Sequence, residues 1–333
     1  MKRIVTIILI FCWVVPNVYS QQLPIYSQYT DNIFILNPAV AGNDGLTTLN
    51  MTNRMQWLGL QDAPRTNSFS AQGRLLKGTY KLKDKFFKGQ GGVKERYIGK
   101  KTGKVGLGGY IYNDKIGLLN KTGFQFSYAY HIFLKGSTEL SFGLSLTTFQ
   151  FKFDRDKVLA ENPYDPILYS AAAKTSFVPD ANAGVFLLNK SYFVGLSAMQ
   201  LAQSFVRIGN NAIDYQHLRR HYYLIGGFNF YVNSDYKIIP SVLIRTTENL
   251  RSTIQSDLSV RVFYRDAVWG GISYRTNQDM VALLGVRWDR YSILYAFDYP
   301  RDPIRQHSYG SHELSISIKL GDTDRRYRWL DRY

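Results

Sequence analysis

Apolar and polar residues alternate along most of this chain with a period of two, over stretches of roughly 8–14 residues, the signature of strands with two unlike faces. Between 124 and 132, Phe124, Phe126, Tyr128, Tyr130 and Ile132 point one way, and Gln125, Ser127, Ala129 and His131 the other. Near the C-terminus, Leu314, Ile316, Ile318 and Leu320 oppose Glu313, Ser315, Ser317 and Lys319. Tyr291, Ile293, Tyr295 and Phe297 do the same, with Leu294 as an exception. The pattern predicts strands at 46–57, 66–76, 104–112, 120–133, 138–153, 180–189, 191–198, 220–232, 237–246, 252–264, 267–275, 279–288, 291–298 and 310–320. Sandwich strands are usually ~5–6 residues long, whereas membrane-spanning strands need ~9–11. The segments have the longer length and number about fourteen, an even count as in single-chain bacterial barrels. The fold expected is therefore all-β: a transmembrane antiparallel β-barrel, with a soluble periplasmic sandwich as its rival.

The connections sort themselves. With the N-terminus in the periplasm, every second connection should be a short periplasmic turn. Residues 134–137, 189–190, 233–236, 265–266 and 289–290 satisfy this, and Gly, Asn and Asp among them suit tight turns. The long connections 154–179, 199–219 and 299–309 fall on the other side, as external loops. The exception is 77–103, a periplasmic connection rich in Lys and Arg. Read as a solvated insertion, as a docking arm or, if the strand count is off, as an outward-facing connection, it holds ten cations up to Lys104 against only Asp84 and Glu95.

Both ends lie outside the barrel pattern. Lys2 and Arg3 precede an apolar run, Ile4–Val15, and Val18-Tyr19-Ser20 suits signal peptidase, so residues 1–20 read as a signal peptide cleaved near Ser20. A lipoprotein signal at Cys12 is the rival, but Phe11 occupies the place of the small residue it needs. Cys12 is the only cysteine, so the mature chain has no disulfide and no thiol metal site. Residues 21–45 carry turn signals, Asn37-Pro38-Ala39 and Ala41-Gly42-Asn43-Asp44-Gly45. A fourteen-strand lumen is too wide for wall side chains alone to fill, and this segment is the candidate plug. Glycines inside strands, among them Gly106, Gly108, Gly143 and Gly184, mark bends or the close approach of another backbone. The barrel spans 46–320, and 321–333 is a periplasmic tail.

Composition adjusts the picture. Apolar residues make up 45% and hydropathy alone reads as soluble, but aromatics reach 15%, with 25 Tyr and 20 Phe. Tyr at that level suits interface girdles, with the ring in lipid and the hydroxyl in water. Loss of Lys2 and Arg3 lowers the formal charge from +16 to +14. Export makes nucleic acid an unsuitable partner for this excess, and points to anionic headgroups, acidic periplasmic proteins or cell-wall polymers.

Chemistry is scarce. His217 and His221 have i,i+4 spacing, but Arg219 and Arg220 between them oppose a cation, so no metal is expected. Ser127 and His131 share a face ~13 Å apart, too far for proton transfer. His312 and Glu313 face opposite sides. Arg261, Arg275, Asp257 and Asp298 are candidate lumen charges, with structural or selectivity-setting roles. No Walker A loop, nucleophile elbow or paired-acid motif occurs. The reading is no enzyme and no cofactor.

Several segments carry a family likeness. Tyr26-Ser27-Gln28-Tyr29, Leu36-Asn37-Pro38-Ala39-Val40-Ala41-Gly42, Arg54-Met55-Gln56-Trp57-Leu58-Gly59 and Ala63-Pro64-Arg65-Thr66 open the series. Gly108-Gly109-Tyr110-Ile111-Tyr112-Asn113-Asp114-Lys115-Ile116-Gly117, Ser127-Tyr128-Ala129-Tyr130-His131, Leu140-Ser141-Phe142-Gly143 and Pro179-Asp180-Ala181-Asn182-Ala183-Gly184-Val185 follow. Gly195-Leu196-Ser197 and Gly310-Ser311-His312-Glu313-Leu314 complete it. Together they resemble the PorP/SprF family of the type IX secretion system. Tyr29, Asn37, Pro38, Gly42, Arg54, Gln56, Trp57 and Pro64 are its motif and plug residues here. The basic 77–104 stretch and the tail, with Arg325-Arg326-Tyr327-Arg328-Trp329, depart from the family pattern.

The resemblance implies an outer-membrane barrel of a Gram-negative bacterium without catalysis. It implies support for secretion and surface anchoring of adhesins that carry type B C-terminal domains, in gliding motility. Its implied partners are that cargo and the ring or peptidoglycan-binding periplasmic proteins. Phe177, Phe205, Ile208, Ile213 and Tyr215 in the external loops are the cargo-contact candidates. Lys81, Lys83, Lys85, Lys88, Arg325, Arg326 and Arg328 are the periplasmic docking candidates. The alternative reading is a passive solute pore.

Overall fold

The computed structural model describes residues 24–76, 81–82, 96–97, 102–134, 138–153, 176–203, 205–207, 215–248, 254–276, 279–301 and 303–321. The expected signal peptide, most of the basic connection and the tail lie outside this set. Within it fourteen long strands run in chain order: β1 (Thr47–Met55), β2 (Arg65–Leu76), β3 (Thr102–Ile116), β4 (Leu119–Phe133), β5 (Thr138–Phe153), β6 (Ser176–Asn189), β7 (Tyr192–Met199) and β8 (His221–Phe228, continued by Phe230–Tyr231). Then come β9 (Tyr236–Thr247), β10 (Gln255–Tyr264), β11 (Val268–Arg275), β12 (Asp279–Trp288), β13 (Tyr291–Pro300) and β14 (Ser311–Leu320). Each pairs antiparallel with its neighbours in sequence. The first and last strands pair too, from Thr47 opposite Leu320 to Met55 opposite His312, which closes the sheet into a barrel without edges.

The polarity of this barrel is inverted relative to a water-soluble fold. On β4, Gln125, Ser127 and His131 are buried, whereas Phe124, Phe126, Tyr128 and Tyr130 are exposed. The same alternation runs round the ring. Leu258, Val260 and Val262 on β10, Leu284 and Val286 on β12, and Tyr291, Ile293 and Tyr295 on β13 all face outward. Monomeric proteins in water do not present such continuous apolar surface. A bilayer accepts it, and the Tyr- and Trp-rich strand ends, such as Tyr236, Tyr264, Trp288 and Tyr291, suit its interfaces.

Two strand boundaries differ most from the sequence reading. β3 runs to Ile116 rather than 112, so only Gly117 and Leu118 separate it from β4. Its outward positions turn polar at Asn113 and Lys115, which ends the apolar alternation but not the ladder. Asn113 instead bonds across the pair to Asn120 and Thr122. β6 starts at Ser176, before Pro179, although proline argues against a strand interior. The proline is tolerated because β7 pairs with β6 only along Ala183–Leu188. The external connection is therefore 154–175, and Phe177 lies on β6 opposite Gln150, 68% exposed.

A charge on the outward face tests the inversion. Leu284→Arg, at the middle of β12, should destabilise the barrel in phospholipid vesicles by roughly 2–4 kcal/mol. Urea unfolding followed by tryptophan fluorescence would read it. An unchanged midpoint would mean that this face does not meet lipid.

Candidate functional site in the barrel interior

Residues 24–46 lie against the inward faces of the strands and are largely buried. Two short 3-10 turns, Ile33–Ile35 and Pro38–Val40, give the segment its shape. Asn37 initiates the second turn. Its Oδ1 accepts from the Ala39 N–H at 2.9 Å, and Pro38 follows at the first position, where a missing N–H costs nothing. The Asn37 Nδ2 donates to the carbonyls of Val185 (3.0 Å) and Leu196 (3.1 Å), bridging β6 and β7. The wall is thinned to receive this turn. A Cβ on Gly143 would overlap the Ala39 backbone, one on Gly184 the Asn37 side chain, and one on Gly106 the Ala41 carbonyl. Gly42, at φ +70°, faces Gly73 so closely that a side chain there would meet its carbonyl at 2.7 Å.

Three charge clusters tie the segment down. Arg54 of β1 reaches Asp298 of β13 (2.6 Å) and Glu313 of β14 (3.0 Å), and all three are buried. Ser27 sits between them: its hydroxyl donates to Asp298 and accepts from Arg54 at 2.7 Å. The N–H groups of Ser27 and Gln28 both donate to the Glu313 carboxylate, at 2.8 and 3.0 Å. At the other end Arg74 of β2 pairs with Glu139 of β5 at 2.7 Å and donates to the carbonyls of Gly42 (2.8 Å) and Asn43 (3.1 Å). His131 Nε2 meets the Ala41 carbonyl at 2.9 Å. Between these ends Arg261 of β10 holds Asp31 at 3.0 Å and packs over Trp269. Arg275 links the first cluster to Asp257, which also meets Arg245. Buried ions tolerate this only because each finds opposite charge and hydrogen-bond partners.

Ser141, His131 and Glu139 are close enough to suggest a catalytic relay, a grouping that the strand spacing around Ser127 did not reveal. Their geometry is not that of a relay. Ser141 Oγ (2.7 Å) and Glu139 (2.8 Å) both approach Nδ1, and the other ring nitrogen is taken by Ala41. A relay needs acid and hydroxyl on opposite nitrogens.

Toward the end of the odd-numbered connections a cavity of about 60 Å³ separates the segment from the wall, lined by Tyr26, Tyr110, Tyr112, Phe149 and Tyr223 with Gln125 and Asn182. The Tyr26 and Tyr110 hydroxyls bond at 2.8 Å. Beyond it Lys121 is enclosed by Phe149 (4.6 Å), Phe151 (5.5 Å) and Tyr112 (5.9 Å). His221, inward on β8, stacks on Tyr223. Among the described residues no group of three His, Cys, Asp or Glu could hold a metal.

The sequence motif residues divide into three places. Tyr29, Asn37, Pro38 and Gly42 belong to the inner segment, and Arg54 to the buried cluster. Gln56, Trp57 and Pro64 lie in the β1–β2 connection, where the Gln56 N–H bonds the Pro64 carbonyl and the Trp57 N–H bonds Ser311 Oγ. Of the cargo candidates, Phe205 and Tyr215 fall in a short strand pair, Phe205–Arg207 with Tyr215–His217. Ile208 and Ile213 lie outside the described residues. Lys81 sits in a two-residue pair with Arg96–Tyr97. Lys83, Lys85, Lys88, Arg325, Arg326 and Arg328 lie outside. Arg74, Glu139, Glu313, Ser27 and Asp31 were not foreseen as a set. Their partners are far apart in sequence, and only their inward parity hinted at them.

A closed, lipid-facing antiparallel barrel with an occupied interior defines a protein of the Gram-negative outer membrane. Residues 18–318 match the family described as "Type IX secretion system membrane protein PorP/SprF", and the chain belongs to that family. A search of curated proteins gave no match. Solved structures similar to it are barrels. They include a TodX deltaS2S3 mutant monoaromatic hydrocarbon channel (9% identity, TM-score 0.47, covering 87% of this chain and 94% of that one). Omp33 of Acinetobacter baumannii (7%, 0.43, 83% and 100%) and a KdgM porin (9%, 0.38, 82% and 99%) are others. Likeness at that level concerns the barrel shape alone.

Two substitutions test how the segment is held. Arg54→Ala leaves Glu313 buried without its cation and Asp298 with only Arg275, 3.5 Å away, and should cost about 3–5 kcal/mol. Gly143→Ala should displace the Ala39 turn while leaving the wall closed. Limited proteolysis in detergent, with cleavage sites mapped by mass spectrometry, should show new cuts in 24–46 for both. Unchanged protection would mean that neither contact secures the segment.

Proposed function

We propose that this chain is a non-enzymatic docking barrel of the type IX secretion system. It supports secretion and surface anchoring of cargo adhesins with type B C-terminal domains, as in gliding motility, and it docks periplasmic machinery. The observation that carries the reading is the interior. Residues 24–46 lie against the inner wall, held near both ends by buried ion clusters, which supports reading them as a plug. An interior so occupied suits a rigid anchor better than a conduit.

Strand β1 runs outward from the periplasm in this reading, and the odd connections face the cell exterior. The residues offered to cargo there are Phe177, exposed on β6, and the connection 199–219 with Phe205, Ile208, Ile213 and Tyr215. On the periplasmic side Lys81, Lys83, Lys85, Lys88 and the tail arginines Arg325, Arg326 and Arg328 offer positive charge to acidic ring proteins or to the cell wall. Cargo under external force needs attachment through the membrane to a partner on the other side, and this division of surfaces supplies both.

Affinity purification of the tagged protein from native outer membranes in mild detergent tests this, with mass spectrometry of what accompanies it. The expected result is a large adhesin with a type B C-terminal domain, or ring and peptidoglycan-binding proteins of the secretion system. A barrel recovered alone that conducts ions in a planar bilayer would instead make it a passive solute pore.

A further inference from the structure

The outward wall of β1–β5 is not apolar to its end. Arg65 on β2 stands directly opposite Lys115 on β3. The same row continues through Asn120 on β4 to Lys152 on β5. Side chains directly opposed across a ladder lie ~4.5–5.5 Å apart at Cβ, and like charges so placed repel. No ion pair with a described residue relieves Arg65, Lys115 or Lys152. The outward positions of β1–β5 hold no carboxylate at all.

One step toward the membrane centre, the same face presents Asn53, Asn67, Asn113, Thr122 and Gln150. Asn53 bonds Asn67 at 2.6 Å, and Asn113 bonds Thr122 at 2.8 Å. One step further come Met51, Phe69, Ile111 and Phe124, all exposed. Cations, amides and apolar side chains thus follow one another over ~13 Å of strand. On the far side of the barrel the outward wall stays apolar or aromatic to near the same ends, with Leu258, Tyr274, Met280 and Tyr299. The layering belongs to one sector.

We propose that this sector binds a phosphorylated glycolipid of the outer leaflet, of the lipid A type. Such a lipid has phosphate, sugar hydroxyls and acyl chains in the order of the three rows. A phosphate between Arg65 and Lys115 relieves their repulsion, and the Arg65 guanidinium can grip it with two N–H groups. Asn67 and Asn113 reach the sugar, and Phe69, Ile111 and Phe124 take the chains. The assignment rests on the proposed orientation, in which this end of the barrel meets the outer leaflet.

Native mass spectrometry of the purified full-length barrel tests it. The probes are bis-phosphorylated lipid A, dephosphorylated lipid A and phosphatidylglycerol, each added separately. The expected result is a retained adduct of the bis-phosphorylated form. Adduct retention should fall about tenfold or more in R65Q/K115Q and stay unchanged in R290Q, at the opposite end of the barrel. Heat stability of both variants should match the parent, since these side chains are outside the buried clusters. Equal retention of dephosphorylated lipid A, or no loss in R65Q/K115Q, would overturn the site. Preferential, Arg65-dependent retention of phosphatidylglycerol would overturn the glycolipid assignment and the orientation together, while leaving the adhesin-anchoring test to stand on its own.

Discussion

Arg54 holds this molecule together at the point where it is topologically weakest. A barrel closes when its first strand finds its last, and Arg54 on β1 stands directly opposite Glu313 on β14 in that seam. Its guanidinium also reaches Asp298 on β13, and Ser27 and Gln28 of the inner segment complete the shell of both carboxylates. The same residues therefore serve both the closure of the ring and the seating of the segment. Among the described residues Glu313 has Arg54 as its only ion-pair partner, whereas Asp298 is shared between Arg54 and Arg275. The network then extends through Arg275 to Asp257, Asp279 and Arg245, so that three arginines face three fully buried carboxylates and the partly exposed Asp279.

Barrel width explains why such a core is needed. A narrow barrel fills its lumen with wall side chains, but fourteen strands leave too much room. The chain supplies the missing volume from residues 24–46. It makes space for their backbone by removing Cβ atoms from the wall at Gly106 and Gly143, and for the Asn37 side chain at Gly184. Other strand glycines have a different cause. Gly123, Gly227 and Gly285 are covered by the rings of Tyr112, Phe193 and Trp269, which shield bare backbone within the sheet itself.

The strands were legible in the sequence because their signal is local. Period-two alternation and short turns at every second connection depend on neighbours a few residues apart, and they yielded the strand number and which face looks outward. Boundaries were lost where a local signal stopped before the ladder did, at Asn113 on β3 and at Pro179 on β6. The ion clusters were illegible for the opposite reason. Arg54 and Glu313 are partners only once the ring has closed, and Arg74 and Glu139 lie on strands separated by two others. Inward parity marked Arg261, Arg275, Asp257 and Asp298 as lumen charges, yet no spacing said which would pair. The Asn37-Pro38-Ala39 turn could be read as a turn, but its bridging of β6 and β7 could not.

The distribution of charge separates the two uses such a barrel could have. An ion-conducting lumen would carry an excess of one sign along an open path. Here most inward cations are paired with acids. The exceptions among the described residues are Arg287, bonded to Ser292, and Lys121, among aromatic rings. The backbone of residues 24–46 packs against the inner wall. In sequence the chain's excess is concentrated: residues 77–104 hold ten cations and two acids, half of the +16 overall. More sits on the outer rim, where Arg65, Lys115 and Lys152 share a row without acids. Positive charge on the outward wall acts on whatever the barrel touches rather than on what passes through it.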